Sequence, residues 1–184
     1  LEDTLGLKLI TAASAGAVTL DAAKAHCSVE TSDWDTQFNA WIAAATAMAE
    51  AVTGRAIGTQ TWEYSLPGFV DTISLPKGPV TSVVSITYLD ANRASQTLAT
   101  SYYLTDLVSD PQAIVRDPNT IWPDTAYGVP NAVTVQFQTG FSAVPPMIAQ
   151  AVLLTIANWW MNREAGALPD AAMQLLRPMR VIRI

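Results

Sequence analysis

Residues 33–54, DWDTQFNAWIAAATAMAEAVTG, run directly into residues 55–68, RAIGTQTWEYSLPG, and the change of period between them decides the fold. In the first stretch Trp34, Phe38, Trp41, Ile42, Ala45, Met48, Ala49 and Val52 recur at spacings of three and four, drawing one apolar stripe along a helix. Ser32, with Asp35 three residues later, is expected to cap its start, Asp standing for the usual Glu of a capping box. Gly54 is the expected left-handed stop. In the second stretch the period becomes two: Trp62, Tyr64 and Leu66 alternate with Glu63 and Ser65 before Pro67 and Gly68 turn the chain. A long amphipathic helix followed by short alternating strands places the chain in the α+β class.

The period-two pattern continues from Ile57 to about Thr139. Ile73 and Leu75 begin a return strand, Pro76 to Pro79 turn, Val84, Ile86 and Tyr88 share a strand face, Asp90 to Arg93 form a polar turn, and Tyr102 to Val108 read as a further strand. Asp110 to Val129, rich in Pro, Asp and Asn, is expected to be a long loop. Asn131 to Thr139 closes the series, with Val133, Val135 and Phe137 opposite Thr134, Gln136 and Gln138. Upstream, Thr19 is placed to cap a short helix from Leu20 to about Cys27, with Asp21 in its first turn. Downstream, Pro145 and Pro146 open a helix whose buried face carries Ile148, Val152, Ile156, Trp159 and Trp160 and which Gly166 is expected to end. Pro169 starts a last short helix through Leu176, and Pro178 keeps it from continuing. The expected architecture is one domain over residues 1–178, with two long and two short helices as a helical core. A β-rich antiparallel segment at about 57–139 is inserted between them, and residues 179–184 leave as an extended arm.

Half of the 184 residues are hydrophobic and only 14% are charged, which excludes intrinsic disorder and leaves surplus apolar surface that either the domain itself or neighbouring subunits must cover. Sixteen acidic against ten basic residues give a net charge of −6, which argues against a surface that grips nucleic acid throughout. Cys27 stands alone, so an intramolecular disulfide and any cysteine-cluster metal site are excluded, and a reducing compartment is expected. The apolar run Met147 to Met161 falls short of the roughly 20 residues needed to span a bilayer. Glu2 and Asp3 stand where a signal peptide would carry positive charge before Leu9 to Val18. No membrane partner is expected.

Catalysis has little to stand on. His26 is the one histidine and lies beside Cys27 on a helix, where adjacent side chains diverge and cannot form a nucleophile–base pair. The pairs Asp33 with Asp35 and Asp106 with Asp110 fall at a helix start and beside a turn, where solvated structural roles are expected. No phosphate-loop, dinucleotide, hydrolase-elbow or metalloprotease motif occurs. The expectation is a protein that is not an enzyme and needs no cofactor or metal. Trp34, Trp41, Trp159 and Trp160 belong to packing stripes, whereas Trp122 is either a loop anchor or part of an intersubunit contact. The strip Arg177, Pro178, Met179, Arg180, Val181, Ile182, Arg183 and Ile184 alternates cationic with large apolar residues, as a segment docking on a partner would.

Taken in order, several stretches resemble the head–tail connector (adaptor) proteins of long-tailed bacteriophages. They are Val18-Thr19-Leu20-Asp21-Ala22-Ala23-Lys24-Ala25-His26, the helix end Glu50-Ala51-Val52-Thr53-Gly54-Arg55-Ala56-Ile57, and Thr59-Gln60-Thr61-Trp62. Leu75-Pro76, Pro79-Val80, Ser82-Val83, Tyr88-Leu89-Asp90, Tyr103-Leu104 and Asn131-Ala132-Val133-Thr134-Val135 with Thr139-Gly140 continue the likeness. Val144-Pro145 and Asn162-Arg163-Glu164 complete it. The resemblance implies a structural protein of the virion neck, made in the bacterial cytoplasm and assembled as a ring, commonly of twelve subunits, beneath the portal protein. A stopper or head-completion protein would lie below it, and double-stranded DNA would pass through its channel without sequence-specific binding. Relatives of this kind occur in phages, prophages and gene transfer particles, and their C-terminal segments commonly reach the portal, which here implies residues 177–184 as the docking arm. The alternatives are a stopper or tail-terminator ring protein and, from another class, a small β-rich ligand-binding module.

Overall fold

The computed structural model describes residues 6–181, which fall into two compact units, one helical and one of sheet. The helical unit takes residues 13–59 and 141–181. It contains α1 (Leu20–His26), α2 (Asp35–Thr53), α3 (Pro146–Asn162) and α4 (Asp170–Leu176). Thr19 caps α1 as expected, its side chain accepting from the Ala22 amide at 3.2 Å. Phe38, Trp41, Ile42, Ala45 and Ala49 of α2 are buried against Ile148, Ala151, Val152, Ile156 and Trp159 of α3, with Ala172 and Leu176 of α4 in the same core. Gly54 ends α2 at φ 72°, the left-handed conformation that glycine adopts without steric cost.

Two helix boundaries differ from expectation. Residues Ser32–Trp34 form a 3-10 turn, and no side chain caps α2 at Trp34. The capping box is absent because α2 begins at Asp35 itself, which therefore does not lie three residues into the helix; its carboxylate instead pairs with Lys24 of α1 at 2.6 Å and ties α1 to the start of α2. At the other end, α3 stops at Asn162, before Gly166, with Arg163 itself left-handed at φ 57°. The Arg163 guanidinium lies 4.0 Å over the Trp160 ring and 5.3 Å over Trp34, and this cation–π contact offsets the cost of that backbone conformation. Gly166 instead supplies the carbonyl that accepts from Trp159 Nε1 at 3.1 Å.

The sheet unit takes residues 6–12 and 60–140. Its strands are β1 (Leu7–Thr11), β2 (Gln60–Leu66), β3 (Thr72–Ser74), β4 (Val80–Leu89), β5 (Ser95–Thr97), β6 (Tyr103–Asp106), β7 (Ala113–Arg116) and β8 (Val133–Thr139). A five-stranded antiparallel sheet has the order β1-β2-β8-β4-β5, and a three-stranded one the order β3-β7-β6. The alternation read in β8 puts Val133, Val135 and Phe137 in the core, each between partners on both sides: Trp62 and Val83 flank Phe137, Tyr64 and Ile86 flank Val135, and Leu66 and Tyr88 flank Val133. Ile73 and Ile114 of the smaller sheet join this core.

Three strand expectations are corrected. Val84 does not share a face with Ile86, because the register slips between Val83 and Ser85. Val83 therefore faces Phe137, and Val84 is left 53% exposed. The segment expected as one loop from Asp110 to Val129 contains β7, four residues paired with both β3 and β6. A strand also precedes the helices: β1 pairs with β2 from Leu7 to Thr11, where neither alternation nor burial announces it.

Trp41 is 8% exposed and its ring packs edge-on to Phe38 with centroids 5.6 Å apart. Trp41→Ala should therefore destabilise the protein by about 3 to 5 kcal/mol. Chemical denaturation measures this directly, and an unchanged midpoint would remove Trp41 from the core.

Candidate docking site

The C-terminal segment was expected to be extended from Met179. The structure places its start later. Arg177–Met179 forms a 3-10 turn after α4, with Pro178 in its first positions, and the chain becomes extended at Arg180 (φ −68°, ψ 139°). Proline forbids the α-helix from continuing but its fixed φ suits a turn, and that turn lets Met179 pack against the helical core. Met179 thus belongs to the helical unit and not to the extended arm. Arg177, Pro178 and Arg180 are exposed, and Val181 is half-buried. Ile182, Arg183 and Ile184 lie outside the described residues.

Residues that the sequence reading did not single out hold this segment. Arg55 Nε donates to the Met179 carbonyl at 2.8 Å, and the Val181 amide donates to the Thr53 carbonyl at 2.9 Å. Both contacts sit where α2 ends. The last carbonyls of a helix have no partner within it, so the end of α2 is a natural place for a passing strand to bond. The only advance signal was Gly54, which marked that end but not what would meet it.

Trp122 is brought into a different arrangement, within the sheet unit. Its ring stacks on Phe69 with centroids 4.6 Å apart and planes 9° from parallel, and its Nε1 donates to the Val70 carbonyl at 3.1 Å. The preceding turn is equally fixed: Asp117 accepts from the Asn119 amide at 2.8 Å, Thr120 Oγ1 donates to the Tyr102 carbonyl at 3.1 Å, and Arg116 donates to the Thr120 carbonyl. Within the chain these contacts anchor the loop through Trp122. What the anchored loop presents is Ile121, which is 83% exposed.

The residues weighed for chemistry do not converge. Cys27 is half-buried, and burial pushes its thiol up from its ordinary value, away from the thiolate a nucleophile needs. Asp35 is committed to Lys24. The Asp106 carboxyl is held below its ordinary range by hydrogen bonds from the Ser109 side chain and from the Ser109 and Val108 amides, so it orders the β6–β7 turn. Among the described residues no group of three or more His, Cys, Asp or Glu is placed to hold a metal ion, and no helix is long and apolar enough to cross a membrane.

The chain thus combines a helical unit built on α2, a sheet unit and a cationic C-terminal segment anchored at the end of α2. The model of the Phage gp6-like head-tail connector protein family matches residues 17–113. The chain belongs to this family. The family joins head to tail, so this connector is a structural neck protein, and membership decides among the expected classes in favour of a connector. The connector is similar to a chain in a structure described as the neck of an empty GTA particle computed with C6 symmetry. That chain has 25% identity and a TM-score of 0.76, with 97% of this chain and 96% of that one covered. The same fold occurs in a chain of the virion of a native gene transfer agent particle, at 24% identity and a TM-score of 0.77, with 97% and 96% covered. It occurs again in the neck of a native GTA particle computed with C12 symmetry, at 24% identity and a TM-score of 0.74, with the same coverage. No curated protein matches the sequence.

If Trp122 serves to anchor its loop, Trp122→Phe should keep the stack on Phe69 and lose about 1 kcal/mol with the indole hydrogen bond. Trp122→Ala should lose more, because the aromatic pair goes as well. Urea denaturation of both variants checks the order, and equal midpoints for wild type and Trp122→Ala would show that the anchor is not needed.

Proposed function

We propose that this connector assembles as a closed ring in the neck of a phage or gene-transfer-agent particle, between the portal protein above and a stopper or head-completion protein below. In this reading double-stranded DNA passes through its channel, residues 1–178 act as the adaptor body, and the segment from Arg177 onward docks on the portal. The observation that carries the proposal is the family match together with likeness over nearly the whole chain to a neck protein of a gene transfer agent. The C6 and C12 symmetries of the similar necks support a ring, with twelve subunits as the expected number.

A cyclic ring uses two different faces of each subunit, one for each neighbour. The composition suits that demand: few charges, and large apolar residues such as Leu9, Ile10, Ile121 and Tyr127 left exposed on one unit and Met147 and Met161 on the other. The net charge of −6 suits a conduit, since a wall that held phosphates tightly would slow the passage of DNA. The cations that a docking segment would use are concentrated instead at Arg177, Arg180 and Arg183, with no acid after Asp170. Apolar anchors then hold the complex while the arginines set association rate and salt dependence.

Deleting residues 180–184 should leave the helical unit folded and abolish binding to the portal ring, measured with purified full-length portal. Particles carrying the deletion should package DNA and fail to join tails; normal portal affinity would move the docking surface elsewhere. Arg180→Ala combined with Arg183→Ala should weaken binding most at low salt. Sedimentation of the isolated connector at micromolar concentration should show mainly monomer, since ring contacts that form without the portal would remove the need for a template. A stable large ring under those conditions would contradict template-dependent assembly.

A further inference from the structure

We propose that Arg55 and the last turn of α2 form a clasp that sets where and in which direction the docking segment leaves the connector, making Arg55 a positioning residue for portal binding. The inference rests on residues 177–184 being the docking segment. Its basis is a set of contacts between parts of the chain far apart in sequence. Arg55 Nε holds the Met179 carbonyl at 2.8 Å, the Thr53 carbonyl holds the Val181 amide at 2.9 Å, and a Cβ placed on Gly54 would lie 3.9 Å from the Val181 side chain. Two main-chain anchor points two residues apart fix a direction, which a single contact would not do.

The base of the clasp is itself rigid. The Gly54 amide donates to the Glu50 carbonyl at 2.9 Å, and Glu50 Oε1 accepts from the Ile57 amide at 2.7 Å, so the backbone on either side of Arg55 is tied to the same helical turn. Thr53 turns its hydroxyl inward, donating to the Ala49 carbonyl at 2.8 Å, and its carbonyl bonds the tail. Arg180, between the two anchor points, is exposed and already extended, the conformation a docking strand needs. A segment held this way loses less conformational freedom on binding than a frayed terminus would. The partner surface it fits is acidic, facing Arg177 and Arg180, with apolar recesses for the residues between and beyond them.

The test uses the full-length connector and the portal ring in three variants: Arg55→Ala, Val181→Pro and the deletion of residues 180–184. Val181→Pro removes the clasping amide while Arg180 already has the backbone that a following proline favours. Arg55→Ala should raise hydrogen exchange at the Val181 amide, leave the melting midpoint near that of wild type, and weaken portal binding about three- to tenfold. Val181→Pro should weaken it to a similar degree, and Arg55→Lys, which can still donate to the Met179 carbonyl, should recover part of the loss. Unchanged exchange in Arg55→Ala would show that Arg55 does not hold the tail. Faster exchange with full affinity, while the deletion abolishes binding, would show that the tail docks without being aimed and would overturn the inference alone. Full affinity in the deletion would overturn the docking reading, and the inference with it.

Discussion

The packing of α2 against α3 is the contact on which the other features depend. Phe38 and Trp41 on one helix meet Trp159 and Trp160 on the other, with ring centroids from 5.5 to 6.4 Å apart, while Ala45, Ala49 and Ala151 are small enough to leave room between the helices. Aromatic pairs at these distances contribute about 0.5 to 1.5 kcal/mol each beyond the area they bury. The alternation of very large and very small side chains favours one alignment of the two helices, because a shift along either axis sets ring against ring and opens voids elsewhere. Once α2 is held, its C-terminal turn is held too, and that turn receives the tail.

In the helical unit one element, α2, thus carries the core and receives the tail. Lys24 with Asp35 and Thr19 with Ala22 organise the beginning of α2 and the helix before it, and Arg55 with Met179 and Thr53 with Val181 organise its end. In the sheet unit β8 plays the corresponding part, with neighbours on both sides over its whole length and a face fully withdrawn from water. Loops are thereby free to carry exposed apolar residues without loss of order, as the pinned turn before Trp122 does for Ile121. Ordered exposed apolar residues fit the ring assembly proposed for this connector.

Much of this was legible in the residues, and the failures have physical causes. Periodicity located α2, α3 and β8 because each buries one face, and burial of one face is what periodicity records. β1 escaped because an exposed edge strand needs no alternation; its pairing with β2 comes from main-chain groups that every residue has. β7 escaped because Ala113 to Arg116 is only four residues long and lies among Pro, Asp and Asn. Val84 was assigned to the wrong face because a bulge shifts the alternation by one residue without any change in composition. Arg163 ended α3 early through rings contributed by Trp160 and Trp34, a contact that local propensity does not describe. The segment proposed to dock stands out by its alternating cationic and apolar residues, whereas its anchorage does not, since Arg55 and Met179 are 124 positions apart.

The most direct test of the account is electron cryomicroscopy of the connector bound to its portal ring. The account predicts a cyclic ring of connector subunits beneath the portal, with α2 ending towards it and residues 177–184 in density against the portal subunits. A ring whose C-terminal segments point away from the portal, or a complex in which another surface of the connector makes the contact, would contradict it.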